Sequence, residues 1–360
     1  MRGGERCLEV FAELYPQADL YTLLHVPGSV SPAIERRRIV TSFVQRLPGA
    51  TRHYRHYLPL FPSAIERFDL RGYDLVLSSS HCVAKGVLAP GGEHVCYCFT
   101  PMRYVWDMYG EYFGRGAGVF TRAIMPPLAA ALRRWDRRAS RRVDHFVAIS
   151  RLVADRIHRC YTRSAEVIYP PVDVQRLRLA EDDPEDFYLV VSALAPYKRI
   201  DLAVAAASQT GRRLKVVGTG PEEAKLRALA GRTVEFLGWR GDDEVADLYR
   251  RCRALLFPGL EDFGIVPLEA MACGRPVIAF GAGGALETVV PLEGDEPATG
   301  LFFTEQTVEA LIQAIARFER EAHRFVPKSL RARAEQFDRP RFKDRIATYI
   351  ERRLAEAERC

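Results

Sequence analysis

The stretch that decides the fold reads Phe257-Pro258-Gly259-Leu260-Glu261-Asp262-Phe263-Gly264-Ile265-Val266-Pro267-Leu268-Glu269-Ala270-Met271-Ala272-Cys273-Gly274-Arg275-Pro276-Val277-Ile278-Ala279. Glu261 and Glu269 stand eight positions apart, on either side of a turn that contains glycine. We predict that Pro267 is the first residue of a helix, because its missing N–H costs nothing there. Gly274 is predicted to lie just past the end of that helix. Glu269 then lies near the third helical position, where the helix dipole favours a carboxylate.

Glu261 lies on the loop before this helix, at the carboxyl end of a buried strand. Doubly wound sheets bind their ligands at that end of the strands. The N–H groups of Gly264, Ile265 and Val266 face the same space and suit an anion. We therefore expect an anion site with two carboxylates beside it. The alternative is an ordinary helix start with two solvated acids.

The rest of the C-terminal half alternates short strands with helices, which predicts a parallel α/β sheet. The predicted strands are 186–192, 213–217, 234–238, 254–258 and 276–280, and the predicted helices are 200–209, 222–229 and 242–251. The N-terminal half is also α/β but less regular. Its predicted strands are 73–78, 94–99 and 143–150, and a last helix is predicted at 341–353.

Composition sets limits on the kind of protein. The 360 residues are enough for two domains, and 48% of them are hydrophobic, as in a globular protein. No apolar run is long enough to span a bilayer, and no apolar run follows the first charges as in a signal peptide. The net charge of +6 is moderate, and no nucleic-acid motif accompanies it, so we expect no nucleic-acid partner. The eight cysteines include no C-x2-C pair, so we expect reduced thiols and no metal site.

The segment quoted above, followed by Gly281-Ala282-Gly283-Gly284-Ala285-Leu286-Glu287, resembles the E-x7-E signature of retaining glycosyltransferases, specifically of glycosyltransferase family 4. The resemblance spans nearly the whole chain and implies the GT-B fold, with two Rossmann-like domains whose parallel sheets face a central cleft. It implies an acceptor-binding domain at 1–168 and a domain for the nucleotide sugar at 169–339. The C-terminal helix, about 340–360, would pack back on the first domain.

The donor side of the implied site lies in the second domain. Sugar transfer without a metal needs fixed positive charge at the departing diphosphate, and Lys198, between a strand and a helix, is the natural ligand. By resemblance, Glu269 would hold the ribose hydroxyls and Glu261 the hydroxyls of the donor sugar. The alternative for Lys198 is a solvated cation at a helix start. The further implied donor-binding residues are Arg199, Gly218, Gly220, Leu237, Gly264, Ile265 and Val266.

The acceptor side lies in the first domain. His81 follows the strand predicted at 73–78 and matches the family histidine near the reacting carbon. The family mechanism is expected to be front-face, with the leaving phosphate taking the acceptor proton, so His81 would position and stabilise; a structural histidine is the alternative. The other acceptor-side candidates are Gly3, Gly4, Lys85, Arg103, Tyr104 and Trp106. For the last three, an ordinary packed loop is an equal alternative.

The chain departs from the family pattern at four places. The first family strand is absent before Gly3-Gly4, so we expect either that it was lost or that Met1 is an internal methionine. Phe99 stands where relatives usually carry histidine, and Ile149 where they carry asparagine. Ala193 aligns with a usual arginine, which leaves Arg199 as the substitute cation. These departures keep open a catalytically impaired protein that only binds a nucleotide sugar.

We expect a hexosyltransferase that uses a nucleotide-diphosphate sugar, with GDP-mannose as the donor and a lipid-linked saccharide as the acceptor, in surface polysaccharide assembly. No cofactor and no metal are expected. The stretch 121–142 contains seven arginines interleaved with apolar residues, which predicts contact with an anionic membrane or, alternatively, a solvated helix. The expected location is cytoplasmic, peripheral on the inner face of the cytoplasmic membrane. A GT-B sugar-nucleotide epimerase is an alternative; a dehydrogenase is weaker, because the Gly218 loop lacks G-x-G-x-x-G.

Overall fold

The computed structural model describes residues 3–107 and 119–359, without the side chains of 119–123. The chain divides into two compact units. The first consists of Met1–Pro170 and Phe342–Cys360, and the second of Pro171–Arg341. The chain therefore leaves the first unit once and returns to it near its C-terminus.

The first unit contains two parallel sheets. A pair is formed by β1 (Leu20–Thr22) and β2 (Ile39–Thr41), and a second sheet consists, in spatial order, of β3 (Leu75–Ser80), β4 (Glu93–Cys98), β5 (His145–Ala148) and β6 (Glu166–Val167). The helices are α1 (Gly3–Leu14), α2 (Pro32–Glu35), α3 (Ala50–His53), α4 (Phe61–Ile65), α5 (Val119–Ser140) and α6 (Arg151–Tyr161). Five of the six β4 residues are buried, as expected of a strand covered on both faces.

The second unit contains one sheet of six parallel strands. They are β7 (Tyr188–Val191), β8 (Leu214–Val217), β9 (Val234–Gly238), β10 (Ala254–Phe257), β11 (Val277–Phe280) and β12 (Gly300–Phe303). The spatial order is β12-β11-β10-β7-β8-β9. The helices are α7 (Ile200–Thr210), α8 (Glu223–Leu229), α9 (Asp242–Arg251), α10 (Ile265–Ala272), α11 (Ala285–Thr288), α12 (Val308–Glu321) and α13 (Pro327–Glu335). A last helix, α14 (Arg339–Ala357), begins in the second unit and belongs to the first from Phe342 onward. The predicted α/β class with parallel sheets is confirmed.

The strand order of this sheet reverses between β7 and β10. From β7 the chain builds outward through β8 and β9, and then crosses to β10 on the other side of β7. All six strands are parallel, so the loops that follow them emerge along one edge of the sheet. Ligands of open α/β sheets bind at such a switch point, outside the carboxyl ends of the strands.

Helix α10 begins two residues before Pro267, which was predicted to be its first residue. It starts at Ile265, with Gly264 at φ +87° as its N-cap, so that Pro267 is the third helical residue. The first four amides of a helix have no partner inside the helix, so a proline at the third position also removes no hydrogen bond. Gly274 follows the helix at φ +77°, the left-handed conformation that ends helices.

The C-terminal part of helix α14 completes the core of the first unit. Phe342, Ile346 and Ile350 are buried. The Phe342 ring lies 5.9 Å from the ring of Phe11 on α1 and 5.6 Å from that of Tyr97 on β4. Among the residues that the structure describes, no helix is both long enough and apolar enough to cross a membrane.

Candidate functional site

The loops that follow β7 and β10 meet at the switch point of the second unit. Lys198 lies on the first loop and Glu261 on the second, and the Lys198 ammonium donates a hydrogen bond to Glu261 Oε1. Gly259 allows this approach, because a Cβ there would lie 2.9 Å from Lys198 Cα. The two residues border a shallow depression with a cavity volume of about 10 Å³, which Ser192 also lines. The structure thus brings together two of the residues predicted to be catalytic.

Glu269 lies on α10 and is buried, with one carboxylate oxygen held by a tyrosine. Tyr249 Oη, on α9, donates a hydrogen bond of 3.0 Å to Glu269 Oε2. Burial, with the Glu269 carboxylate beside it, raises the pKa of Tyr249 well above its ordinary value. The phenol therefore stays protonated and acts as a donor that orients the carboxylate. Sequence reasoning missed Tyr249, since a tyrosine on an amphipathic helix carries no sign of its partner.

The glycines of the loop after β8 pack against the loop after β7. A Cβ at Gly218 would lie 1.9 Å from the carbonyl oxygen of Ser192, and one at Gly220 would lie 2.3 Å from that of Leu194. Gly218 N also donates to the carbonyl of Gly238, at the end of β9, over 2.7 Å. Contacts within the chain therefore require both glycines. That Gly218, Gly220 and the partly buried Leu237 contact a nucleotide stays a prediction.

The N-terminus of α10 is held in place by the loop that follows β11. Glu261 O accepts a hydrogen bond of 2.9 Å from Gly284 N, and a Cβ at Gly284 would lie 2.3 Å from Phe263 Cα. Gly264, Ile265 and Val266 are partly exposed at the start of the helix. Their amides lie among the helix's first ones, and the helix dipole favours an anion beside them.

Arg199 forms an ion pair with Asp201. Its Nε lies 3.1 Å from Asp201 Oδ1, and its backbone is left-handed at φ +51°. Ala193, where relatives usually carry arginine, is exposed. Arg199 is thus paired with Asp201, as Lys198 is with Glu261, and its role as the replacement cation for a diphosphate stays a prediction.

In the first unit, the start of α1 meets the ends of β3 and β4. Phe99 follows β4, and its N donates to the carbonyl of Ser80, the last residue of β3, over 2.8 Å. His81 comes next after Ser80 and is exposed. A Cβ at Gly4 would lie 3.6 Å from the Phe99 ring. Gly4 thus lies near the Phe99 ring, which can neither hydrogen-bond nor titrate, and His81 follows the strand end to which the Phe99 backbone is bonded.

Lys85 requires a correction, because the structure places it in the core instead of on the acceptor side. Its side chain is fully buried, and Nζ lies 2.5 Å from Asp136 Oδ1 and donates to Cys82 O over 2.8 Å. Burial alone lowers the pKa of Lys85, but the Asp136 carboxylate, together with Cys98 and Cys96, raises it more, so the net shift is upward. The pair is therefore charged, and Lys85 has no surface with which to contact an acceptor.

Trp106 belongs to the same buried network. Its Nε1 donates to Asp136 Oδ2 over 2.8 Å, and Tyr161 Oη donates to the same oxygen over 2.6 Å. The Arg137 guanidinium lies 4.9 Å from the Trp106 ring. The packed-loop alternative therefore describes Trp106. Its neighbours Arg103 and Tyr104 are partly exposed, and their contact with an acceptor stays a prediction.

Two family models cover most of the chain. A model described as Glycosyltransferase Family 4 matches residues 1–176, and one described as Glycosyl transferases group 1 matches residues 172–337. A GDP-mannose-dependent alpha-mannosyltransferase of Mycobacterium tuberculosis is 30% identical over 272 residues, which are 71% of this chain and 68% of the relative. The chain belongs to glycosyltransferase family 4.

Other family members match over shorter stretches. O-antigen chain mannosyltransferase C of Escherichia coli is 28% identical over 163 residues, which are 42% of this chain and 43% of the relative. Across four similar curated relatives, the match spans 33% to 54% of the relative's length. The chain thus spans about half or less of these relatives.

Solved structures share the fold of this family 4 chain. HepE from Anabaena in complex with UDP has a TM-score of 0.71 at 20% identity, covering 97% of this chain and 96% of HepE. Sucrose-phosphate synthase from Thermosynechococcus elongatus has a TM-score of 0.72 at 20% identity, covering 97% of this chain and 92% of that one. These likenesses show the GT-B fold.

The arginine-rich stretch 121–142 of this family 4 chain is tied to the first unit by some of its arginines and exposes others. Arg133 Nε donates to Val105 O over 2.5 Å, and Arg142 pairs with Glu66 at 2.7 Å. Leu132 and Trp135 are buried, whereas Arg134 and Arg138 are exposed; the side chains of 121–123 lie outside the described residues. Within the described part of the chain, no three His, Cys, Asp or Glu residues are placed to hold a metal ion.

Proposed function

We propose that this family 4 chain is a retaining hexosyltransferase that transfers mannose from GDP-mannose to a lipid-linked saccharide in surface polysaccharide assembly. The observation that carries the proposal is the meeting of Lys198 and Glu261 at the switch point, on the sheet edge where Glu269 is held by Tyr249. The relatives named as mannosyltransferases support the donor. HepE, described in complexes with UDP and UDP-glucose, supports a nucleotide-sugar site in this fold.

The donor chemistry follows from the charges at this edge. When the bond from the sugar carbon to the diphosphate breaks, negative charge grows on the phosphate, and a fixed cation and helix amides stabilise it. Lys198 and the first amides of α10 are the groups available. Glu261 would accept hydrogen bonds from the sugar hydroxyls, and Glu269 from the ribose hydroxyls. Donor binding then exchanges the contact between Lys198 and Glu261 for contacts to the donor.

The transfer step keeps the configuration of the sugar carbon if it proceeds on one face. A new bond forms from the acceptor oxygen to that carbon as the bond to phosphate breaks, and the acceptor proton passes to the departing phosphate oxygen. His81 would position the reacting groups and stabilise the developing charge. No covalent intermediate on the protein is required in this scheme.

The test measures the thermal stability of the purified chain with GDP-mannose, UDP-glucose, UDP-N-acetylglucosamine and NAD in turn. A ligand that binds the native state raises the melting temperature. The expected result is a shift with GDP-mannose that is absent in Glu269→Ala. If the melting temperature rises only with a UDP-sugar, the proposed donor is a UDP-sugar instead of GDP-mannose. A rise only with NAD would overturn the proposal.

A second candidate is a protein that binds a nucleotide sugar without transferring it. Phe99 is the observation that favours it, because a phenylalanine beside Gly4 cannot supply the hydrogen bond of the usual histidine. Donor binding with neither transfer nor donor hydrolysis would identify this candidate. Conversion of the donor into another sugar nucleotide without an acceptor would instead identify an epimerase.

A further inference from the structure

One segment of the first unit contains basic residues and no acids. Residues 36–65 contain six arginines and neither aspartate nor glutamate. The formal charge of this segment is therefore +6, the same as that of the stretch 121–142, whose seven arginines are accompanied by Asp136. A segment with charge of one sign attracts a partner of opposite charge.

Part of this segment forms a compact exposed surface. Helix α3 continues into a 3₁₀ helix at Tyr54–Leu60, and a three-residue spacing aligns side chains along such a helix. The rings of His53 and His56 stack 5.6 Å apart at 9°. Arg52 and Arg55 have the same spacing, and the Arg55 guanidinium lies 5.7 Å from the Tyr54 ring.

The helical part of the segment, residues 50–61, is anchored to the first unit by its inner side. Ala50 and Phe61 are buried at its two ends, and Tyr57 and Leu58 pack against the hydrophobic core between them. Tyr57 Oη also donates to Pro48 O over 2.8 Å. The segment is therefore amphipathic and is fixed to the core along its inner side.

The outer side combines cations with apolar surface. Every residue from Thr51 to His56 is exposed, and the larger apolar side chains on this side, Tyr54 and Leu60, are 36% and 40% exposed. We define the basic face as Arg52, His53, Tyr54, Arg55, His56 and Leu60. Arginines interleaved with an aromatic and an aliphatic side chain match a lipid interface, with headgroups for the cations and an apolar boundary for the rings.

We propose that the basic face docks the protein on an anionic lipid surface. The inference extends the proposed function, since a lipid-linked acceptor would be presented at such a surface. It also moves the membrane contact from the stretch 121–142, where Arg133, Arg137 and Arg142 contact groups of their own unit. An acidic protein or a nucleic acid would bind the same cations but would not require Tyr54 and Leu60.

The test is sedimentation of the full chain with vesicles of phosphatidylcholine, with and without phosphatidylglycerol. Binding is expected only with phosphatidylglycerol, and salt should weaken it. Because each basic residue near an anionic surface strengthens binding roughly fivefold, Arg52→Glu with Arg55→Glu should weaken it by about 30-fold or more. Arg134→Glu with Arg138→Glu is the matched control, since it removes the same charge from exposed positions of α5 and should change binding only slightly.

A third variant separates lipid from other anionic partners. Tyr54→Ser with Leu60→Ser keeps every charge, so it should weaken vesicle binding severalfold and leave binding to heparin or single-stranded DNA unchanged. Three results would overturn the proposal: no vesicle binding by the unaltered chain, an equal loss in the α5 control, or binding to the polyanions without binding to vesicles.

The vesicle test and the donor-binding test can fail independently of each other. The charge-reversal variant should keep its thermal shift with the sugar nucleotide, because Arg52 and Arg55 lie in the first unit and Lys198 in the second. It should lose transfer to an acceptor embedded in vesicles and keep transfer to a water-soluble one. Vesicle binding without any donor shift would refute the proposed function and leave the membrane surface standing.

Discussion

Lys198 and Glu261 form an ion pair across the switch point of the second unit, each side chain being about four-fifths buried. The pair joins the end of β7 to the end of β10. It means that the cation proposed for the diphosphate is already occupied by the carboxylate proposed for the sugar. Binding a whole donor satisfies both partners again, whereas a nucleoside diphosphate alone would leave Glu261 without its partner.

Replacing Glu261 with glutamine should therefore have opposite effects on binding and on transfer. The affinity for the nucleoside diphosphate should rise by about fivefold, since a partly exposed ion pair contributes up to about 1 kcal/mol. Turnover should fall by about 10²–10³, as for the loss of one preorganised polar group. Titration calorimetry and a transfer assay measure the two effects. Lys198→Ala should lose both diphosphate binding and transfer. Weaker diphosphate binding by Glu261→Gln would contradict the idea that Glu261 competes with the diphosphate for Lys198.

Replacing Tyr249 with phenylalanine should weaken the recognition of ribose. Without the hydroxyl, nothing from Tyr249 orients the Glu269 carboxylate, and a hydrogen bond to a charged group contributes about 1.5–3 kcal/mol. The affinity for the ribonucleoside diphosphate should fall at least about tenfold, while that for the 2′,3′-dideoxy analogue stays the same. Tyr188→Phe is the matched control, because that buried tyrosine donates to Glu319 at 2.9 Å instead. Equal losses for both nucleotides would mean that Tyr249 only supports the fold.

Replacing Lys85 with methionine should destabilise the first unit. The substitution leaves the buried Asp136 carboxylate without its cation, which costs about 3–5 kcal/mol. Urea denaturation of the full chain measures the loss. Lys343→Met is the control: Lys343 pairs with Glu13 at 3.4 Å on the surface, and its loss should cost no more than about 1 kcal/mol. Unchanged stability with lost transfer would instead return Lys85 to the acceptor site.

The stability of the chain should depend on pH through His94. Burial lowers the pKa of His94 to about 4, and its Nε2 lies 2.8 Å from Ser78 Oγ. Between this value and about 6.5, its ordinary pKa, the unfolded state binds more protons. His94 therefore stabilises the fold at pH 7, and this contribution, up to about 3 kcal/mol, is lost as the pH falls to about 4.

A titration of stability checks this prediction. Urea unfolding at pH 7 and pH 4.5 should show a smaller difference in His94→Gln than in the unaltered chain, because glutamine does not titrate. Comparing the two chains at each pH cancels the contributions of the other ionisable groups. An identical pH dependence in both would show that another group is responsible.

The meeting of Lys198 and Glu261 at one edge of the sheet was predictable because local chemistry marks the loops. Gly259, Pro267 and Gly274 mark the loop and helix ends between two apolar strands, and the carboxyl ends of parallel strands lie at the same edge. The boundary of α10 was misplaced by two residues, since proline fits any of the first helical positions. Strands β1, β2, β6 and β12 were not predicted, because a strand of two to four residues is too short for its periodicity alone to identify it.

Side-chain partners distant in the chain were not predictable from one sequence. Lys85 reads as a surface cation until Asp136, on α5, is seen beside it. Tyr249 has the same limitation, because its hydroxyl finds Glu269 only when α9 and α10 lie side by side. The basic face depended on both kinds of information: the charge count is visible in the sequence, and the exposure of Arg52 and Arg55 only in the structure.

The return of the chain to its first unit has a consequence for truncation. Phe11 and Tyr97 lie early in the chain, but their aromatic partner Phe342 belongs to residues 342–360. The second unit, Pro171–Arg341, is continuous, whereas the first lacks part of its core until residues 342–360 are present. Removal of Phe342 and the residues after it would therefore leave the second unit whole and uncover the rings of Phe11 and Tyr97 in the first.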